Sequence, residues 1–112
     1  MSPFAATPTP PYYAVIFTSL RTAGDHGYAD MADKMVELAA QQPGFLGIES
    51  AREDGENGLG ITVSYWADLV SIRAWKAQLD HRQAQAMGRE RWYASYRVRV
   101  SLVEREYGLS HH

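Results

Sequence analysis

Four segments of the chain have residue patterns typical of β-strands. They are Tyr12–Arg21, Phe45–Arg52, Leu59–Trp66 and Trp92–Tyr107. The first is dense in aromatic and β-branched residues, and the other three alternate between two sets of side chains with a period of two. A polar turn at 53–58 joins the second and third segments. This pattern predicts four strands, of which the second and third form a hairpin.

Two further segments carry hydrophobic residues at the three-and-four spacing of an amphipathic helix. The first begins near Tyr28 and ends before the pair Pro43-Gly44, which stops a helix. The second follows Asp68, a residue type that caps helix N-termini, and its inner positions are Leu69, Ile72, Trp75 and Leu79. The pattern leaves open whether this helix breaks near 78–80 or continues toward Gly88.

The predicted order β-α-β-β-α-β is that of the split βαβ, or ferredoxin-like, α+β fold. Its antiparallel sheet carries both helices on one face. Strands one and three have aromatic and aliphatic residues on both sides, so the uncovered face needs a partner. We expect a second copy of the chain to cover this face in a two-fold homodimer.

The length of 112 residues fits one hydrophobic core, which we assign to residues 12–107. Residues 1–11 contain four prolines and are expected to form a flexible leader, and residues 108–112 a short tail. His111 and His112 are compatible with the remnant of a purification tag, so they are left out of every site argument.

The composition of the chain argues against several classes of function. The formal net charge is −2, so no overall positive field attracts nucleic acid. Cysteine is absent, which excludes disulfides and thiolate metal sites and is compatible with a cytoplasmic location. No segment has the length and hydrophobicity of a membrane span. No phosphate loop, dinucleotide fingerprint or metal-ligand cluster is present, and we expect no bound cofactor.

Two segments resemble a known family. Gln42-Pro-Gly-Phe-Leu-Gly-Ile-Glu49 joins helix one to strand two, and the aromatic run 64–75 joins strand three to helix two. Both are similar to the antibiotic biosynthesis monooxygenase-like superfamily of dimeric α+β barrels. The resemblance spans residues 12–107 and implies a small-molecule pocket between the helices and the sheet.

The family includes cofactor-independent monooxygenases of aromatic or quinol-like compounds, haem-degrading monooxygenases and proteins without an assigned activity. In the haem-degrading members, a tryptophan on helix two precedes the iron-ligating histidine by about ten residues. Trp75 matches that tryptophan, but the matching later position is Gln85, and the nearest histidine is His81. This departure counts against haem ligation in the family manner.

His81 is the candidate catalytic base, since a neutral imidazole accepts a phenolic proton near neutral pH. A solvent-facing histidine is the alternative, because on an unbroken helix position 81 lies about 120° around the axis from Trp75. Trp66 and Trp75 are candidate walls on which an aromatic ligand stacks, and each is also a natural core residue.

Further candidates for substrate binding are Tyr13, Tyr65, Tyr93, Tyr96 and Gln85. A tyrosine hydroxyl donates to a ketone or phenolate oxygen, and the Gln85 amide both donates and accepts. Arg97 and Arg99 share one strand face, where they either bind a carboxylate or pair with Glu104, Glu106 or a partner subunit.

Three functions remain open from the sequence. The first is a cofactor-independent monooxygenase acting on a small aromatic or quinol-like compound. The second is a non-catalytic protein that binds such a compound, and the third is a haem-binding or haem-degrading protein.

Overall fold

The predicted strands and helices all form in the computed structural model of the protein, which describes residues 3–22, 28–54, 58–86 and 93–109. At Tyr28, Ala94 and positions 81–86 only the backbone is described. The elements are β1 (Tyr12–Arg21), α1 (Tyr28–Ala40), β2 (Phe45–Arg52), β3 (Leu59–Trp66), α2 (Leu69–Ala86) and β4 (Tyr93–Val103). Helix α2 is continuous through 78–80, so the open question about its length is resolved in favour of one long helix.

The four strands form one antiparallel sheet in the order β2-β3-β1-β4. Both helices pack on the same side of it, where Ala39 of α1 and Ile72 and Trp75 of α2 bury Trp66 of β3. We call this side the helix face and the other side the open face. The ferredoxin-like α+β fold predicted from the sequence is confirmed.

A bulge in β2 changes which residues share a face. Phe45 pairs with Trp66, but the next pair is Gly47 with Tyr65, so the register shifts between Phe45 and Gly47. If side chains alternated regularly along β2, Phe45 would lie on the same face of the sheet as Glu49, which is the open face. The extra residue instead puts Phe45 on the helix face, where its ring meets Trp66 edge-on at 5.5 Å.

The start of α2 is fixed by Asp68, as the sequence predicts. Its Oδ1 atom accepts a hydrogen bond of 2.8 Å from the backbone N–H of Ser71. Hydrogen bonds from the backbone and side chain of Ser71 lower the pKa of the Asp68 carboxyl below its usual value. The cap therefore holds the helix at the end of β3, where Trp66 enters the core.

The turn between α1 and β2 depends on Gly44. Its φ is +83°, a conformation that only glycine adopts without strain, and its carbonyl accepts a 2.8 Å hydrogen bond from Ala67 N–H. A Cβ atom at this position would overlap the Ser71 side chain. Gly44 thus lets the loop pack directly against the start of α2.

Replacing Gly44 by alanine should lower the free energy of unfolding by about 1 kcal/mol or more, because it combines backbone strain with a steric clash. Urea unfolding of Gly44→Ala measures this. Gly108→Ala is the matched control, since Gly108 lies in the tail with nothing within 4 Å of a new Cβ atom. Equal stability of the two variants would contradict this account of the turn.

The described part of the leader lies against the open face. Ala5 N–H donates to Glu49 Oε2 on β2 at 2.8 Å, and Thr7 Oγ1 donates to Glu106 beyond β4 at 3.0 Å. The Tyr12 hydroxyl donates to Glu106 Oε1 at 3.0 Å and lies 3.1 Å from Thr7 Oγ1. These contacts attach Ala5 and Thr7 to the sheet, and the flexibility that the proline-rich composition predicts for residues 1–11 remains a prediction.

Among the described residues, no helix has both the length and the hydrophobicity required to cross a membrane.

Candidate functional site

A long strip of mainly apolar side chains lies on the helix face, on the half of the sheet formed by β1 and β4. Its side chains are paired across the two strands, so they form successive rows: Tyr13 with Leu102, Val15 with Val100, Phe17 with Val98, and Ser19 with Tyr96. We call this strip, defined by these eight residues, the helix-side trough.

The trough exists because the helices cover only the other half of the sheet. Helix α1 packs mainly on β2 and α2 mainly on β3. The trough residues of β4 are consequently 47–51% exposed, although they point to the same side as the core. Four consecutive exposed apolar side chains on one strand face are uncommon outside binding surfaces.

The rows fix the size of the trough. Six residue steps separate Tyr13 from Ser19 along β1, which corresponds to roughly 20 Å of strand. This length accommodates a compound of several fused rings.

Trp66 and Trp75 lie at the Tyr13 end of the trough, in the core beneath α2. Their rings stack at 6.0 Å with 28° between planes, and the indole N–H of Trp66 donates to Ser64 Oγ at 2.9 Å. Trp66 has no exposed surface and Trp75 is 7% exposed. Each indole ring therefore covers one face of the other. The pair forms a packed support behind Tyr13, which contacts this cluster.

An aromatic cluster lines the other end of the trough. The Phe17 ring stacks with Tyr96 at 5.3 Å and meets Tyr93 edge-on at 5.2 Å. Tyr93 reaches this face because the pairing of β1 with β4 shifts register between Leu20 and Arg21. Tyr13 and Tyr93, both predicted as binding residues, thus stand at opposite ends of the same trough.

A guanidinium group borders the aromatic end. Arg52 on β2 reaches across Gly60 on β3, and its Nη2 atom donates to Ser19 Oγ at 2.6 Å while Nη1 donates to the Gly58 carbonyl at 2.8 Å. A Cβ atom at Gly60 would overlap this guanidinium. The sequence analysis did not single out Arg52, and the available signal was Gly60, a glycine near the start of strand β3.

His81 and Gln85 lie on the last two turns of α2. Their side chains are outside the described part of the structure. The helix is unbroken there, so the break that would bring position 81 to the face of Trp75 does not occur in the backbone. Both residues remain predictions.

Tyr65, a further tyrosine weighed for the pocket, lies on the open face away from the trough. Its hydroxyl donates to Glu49 Oε1 at 2.7 Å, and its ring meets Tyr12 edge-on at 5.8 Å. Burial and the hydrogen bond to Glu49 raise the pKa of Tyr65 to about 12. Burial also raises the pKa of Tyr12. Both hydroxyls stay protonated at neutral pH and act as donors.

We expect Tyr65 to ionise near pH 12 and not near its ordinary pKa of 10.0. Because the folded state favours the neutral phenol, this contribution to stability is present below pH 10 and is lost as the pH rises toward 12. Absorbance titration of the wild type minus Tyr65→Phe isolates this group.

In Glu49→Gln the Tyr65 pKa should fall, since the negative charge beside the hydroxyl is gone. Glu37→Gln, an exposed change on α1, should leave it unaltered. A Tyr65 titration that is identical in wild type and Glu49→Gln would show that the carboxylate does not act on this hydroxyl.

The described residues contain no group of three or more histidine, aspartate and glutamate side chains arranged to hold a metal ion. What they bring together is a trough of aliphatic and aromatic side chains with hydroxyls at both ends. Such a surface is chemically suited to a planar apolar compound that carries oxygen substituents.

Comparisons with known proteins agree with this architecture. A mutant form of SnoaB, a cofactor-independent oxygenase from Streptomyces nogalater, superposes with a TM-score of 0.62 at 16% identity, covering 89% of this chain and 98% of SnoaB. PA3566 from Pseudomonas aeruginosa superposes with a TM-score of 0.61 at 16% identity, covering 89% of this chain and 99% of PA3566. At these identities the likeness establishes the fold alone.

Sequence comparison establishes the family. The uncharacterized protein YqjZ of Bacillus subtilis (strain 168) is 53% identical over 100 residues, which cover 89% of this chain and 86% of YqjZ. The profile of the antibiotic biosynthesis monooxygenase family matches residues 11–87, from the start of β1 to the end of α2. The chain is therefore a member of the antibiotic biosynthesis monooxygenase family.

Proposed function

We propose that this protein is a cofactor-independent monooxygenase that oxidises a small aromatic or quinol-like compound bound in the helix-side trough. The observation that carries this proposal is the row of half-exposed apolar side chains, Val98, Val100 and Leu102, on the side of the sheet that otherwise forms the core. SnoaB, which has the same fold, is described as a cofactor-independent oxygenase, and this supports the assignment of that reaction class to the present protein.

The reaction we propose needs no external reductant. A base removes a proton from an electron-rich hydroxyaromatic or from its activated ring carbon, and the resulting carbanion transfers electrons to O₂. One oxygen atom forms a new C=O bond at that carbon, which loses two hydrogens, and the other oxygen atom leaves as water. The substrate supplies all four electrons.

The residues have distinct roles in this proposal. The candidate base is His81 or a tyrosine of the trough: an imidazole exchanges protons near neutral pH, but on the unbroken helix α2 position 81 lies about 120° around the axis from Trp75. Tyr13 and Tyr93 hold the oxygen substituents by hydrogen bonds, and Gln85 adds a donor and an acceptor from α2. Trp66 and Trp75 support the wall behind Tyr13, which fixes the orientation of the ring relative to O₂.

We also propose that the protein is a homodimer that works in the cytoplasm. Leu59 and Ile61 on the open face are 40% and 42% exposed, and a second copy over this face would bury them. The absence of cysteine is compatible with a reducing compartment.

Native mass spectrometry of the protein purified from its own host tests both parts of the proposal. The expected result is a dimer that retains a planar aromatic compound. A monomer would contradict the dimer, and retention of haem instead of a hydroxyaromatic would favour the haem-binding alternative. A retained aromatic compound that is never turned over in air would favour a binding protein.

A further inference from the structure

We propose that the compound bound in the helix-side trough carries a carboxylate, which the Arg52 guanidinium and the Ser19 hydroxyl bind at the aromatic end. This inference rests on the proposed function, because it names the substrate class of the same site. The class is that of hydroxyaromatic carboxylates, planar compounds with one apolar end and one anionic end. We call the two residues, which are joined by a hydrogen bond, the Arg52–Ser19 pair.

The polarity of the helix face changes from one end of the sheet to the other. At the core end, the row of paired residues across the four strands is wholly apolar or aromatic: Phe45, Trp66, Tyr13 and Leu102. At the opposite end, the row that contains the pair is Arg52, Gly60, Ser19 and Tyr96. A ligand that lies along the trough therefore has hydrophobic side chains at one end and a cation with a hydroxyl at the other.

The Arg52 guanidinium reaches the trough because Gly60 has no side chain. A Cβ atom at Gly60 would overlap the guanidinium, so the Arg52 side chain crosses β3 at this glycine. Its Nη2 atom donates to Ser19 Oγ on β1 at 2.6 Å, and its Nη1 atom donates to the Gly58 carbonyl at 2.8 Å. Both acceptors are uncharged oxygens. These two bonds therefore position the cation and do not neutralise its charge.

The Ser19 hydroxyl is suited to donate to a bound anion. Ser19 is 2% exposed, and its Oγ atom accepts the hydrogen bond from Arg52. A serine hydroxyl also has one proton to donate, and no described residue accepts it. Burial of a donor without an acceptor is unfavourable. A carboxylate oxygen placed between Tyr96 and the guanidinium would accept this proton and lie beside the positive charge.

The aromatic side chains next to the pair favour a carboxylate that is attached to a ring. Phe17 and Tyr96 stack at 5.3 Å, and Tyr96 is half-exposed, so the ring of a ligand has an aromatic surface beside Ser19. A carboxylate conjugated with a ring lies in the ring plane and presents two oxygens to guanidinium N–H groups. One compound can thus stack on the aromatic side chains and bind the pair.

The pair remains accessible in the proposed homodimer. The second copy covers the open face, where Leu59 and Ile61 lie, whereas Arg52 and Ser19 belong to the helix face. Arg52 is partly exposed on that face. Binding of an anion at the pair therefore does not compete with dimerisation.

NMR titration with 2-naphthoate, and with neutral 2-naphthamide as its isostere, tests the inference. We expect 2-naphthoate to shift the resonances of Ser19, Arg52 and Tyr96, with an affinity that falls as salt is added. It should bind at least about tenfold more tightly than 2-naphthamide, because charge strengthens hydrogen bonds to guanidinium. Equal affinities of the two probes, or no binding of 2-naphthoate, would overturn the proposal.

Variants assign the preference for the anion to the pair. Arg52→Gln should reduce the ratio of the two affinities to about one and leave 2-naphthamide binding within about twofold of the wild type, whereas Arg52→Lys should retain part of the preference. Arg73→Gln, at an exposed position on α2, is the matched control and should keep the full ratio. Equal weakening of both probes in Arg52→Gln would show that Arg52 only supports the fold, and would overturn its role in binding.

Two further substitutions test the pair even where Arg52→Gln destabilises the protein. Gly60→Ala keeps both residues of the pair but displaces the guanidinium, and Ser19→Ala removes the donated proton. Each should lower the affinity for 2-naphthoate at least about threefold relative to 2-naphthamide. An unchanged ratio in both variants would place the carboxylate elsewhere.

The outcomes separate this inference from the proposed oxygenase. Preferential binding of 2-naphthoate through the pair, without oxygen uptake on a hydroxynaphthoate or any other hydroxyaromatic, would support the anion site and contradict the oxygenase. Oxygen uptake with neutral hydroxyaromatics, without any preference for 2-naphthoate over 2-naphthamide, would support the oxygenase and overturn the carboxylate.

Discussion

Replacing Trp66 by alanine should lower the free energy of unfolding by about 3–5 kcal/mol, the largest effect we expect from any single substitution. Trp66 has no exposed surface and contacts the rings of Phe45 and Trp75 from two sides. Its removal leaves a cavity between the sheet and both helices. It also removes the indole N–H that donates a hydrogen bond to the Ser64 hydroxyl.

Urea unfolding followed by circular dichroism measures this loss. Leu69→Ala is the matched control, because Leu69 is a large apolar residue at the start of α2 that is 43% exposed, and we expect it to cost less than about 1 kcal/mol. If Trp66→Ala were no more destabilising than Leu69→Ala, the core would not be centred on Trp66.

Val100→Trp should markedly weaken the binding of a planar aromatic ligand without unfolding the protein. Val100 lies in the middle of the helix-side trough, paired with Val15, and half of its side chain is exposed. An indole at this position fills the space between the two ends of the trough, and the half-open surroundings allow the larger side chain to fit. We expect affinity for a naphthol probe to fall at least about tenfold, or about 1.4 kcal/mol.

Fluorescence titration with the naphthol measures the affinity. Val70→Trp makes the same substitution on α2 at a position that is 65% exposed, so it controls for the added fluorophore and the added hydrophobic surface. It should bind the probe as tightly as the wild type. Unchanged affinity in Val100→Trp would place the ligand outside the trough.

The sequence predicted the fold closely because its signals are local. The starts of β1, β2, β3 and α2 follow from prolines, glycines and the Asp68 cap, each of which acts within a few residues. Alternation in β4 correctly separated the arginines from the valines. The bulge at Phe45 was not predicted, because it depends on pairing with β3 and the hydrophobic pattern of β2 is the same with or without it.

The candidate site was predicted only in part. Tyr13 and Tyr93 do line one trough, but their common location depends on the strand order and on the register shift at Leu20, which are long-range features. The extent of the trough depends on which strands the helices leave uncovered, and the hydrophobic periodicity of the sequence does not predict this. Arg52 was missed for the same reason, since its guanidinium meets Ser19 only after three strands have paired.

The most direct test of the proposed oxygenase is oxygen uptake by metal-free, flavin-free protein in the presence of hydroxyaromatic compounds, including a naphthol, a hydroquinone and an anthrone, under isotopically labelled O₂. We expect uptake with at least one of them, a product that contains one labelled oxygen atom per molecule, and uptake by Val100→Trp that is at least about tenfold slower at low substrate concentration. Absence of uptake with every compound, or equal uptake by wild type and Val100→Trp, would contradict the proposed oxygenase.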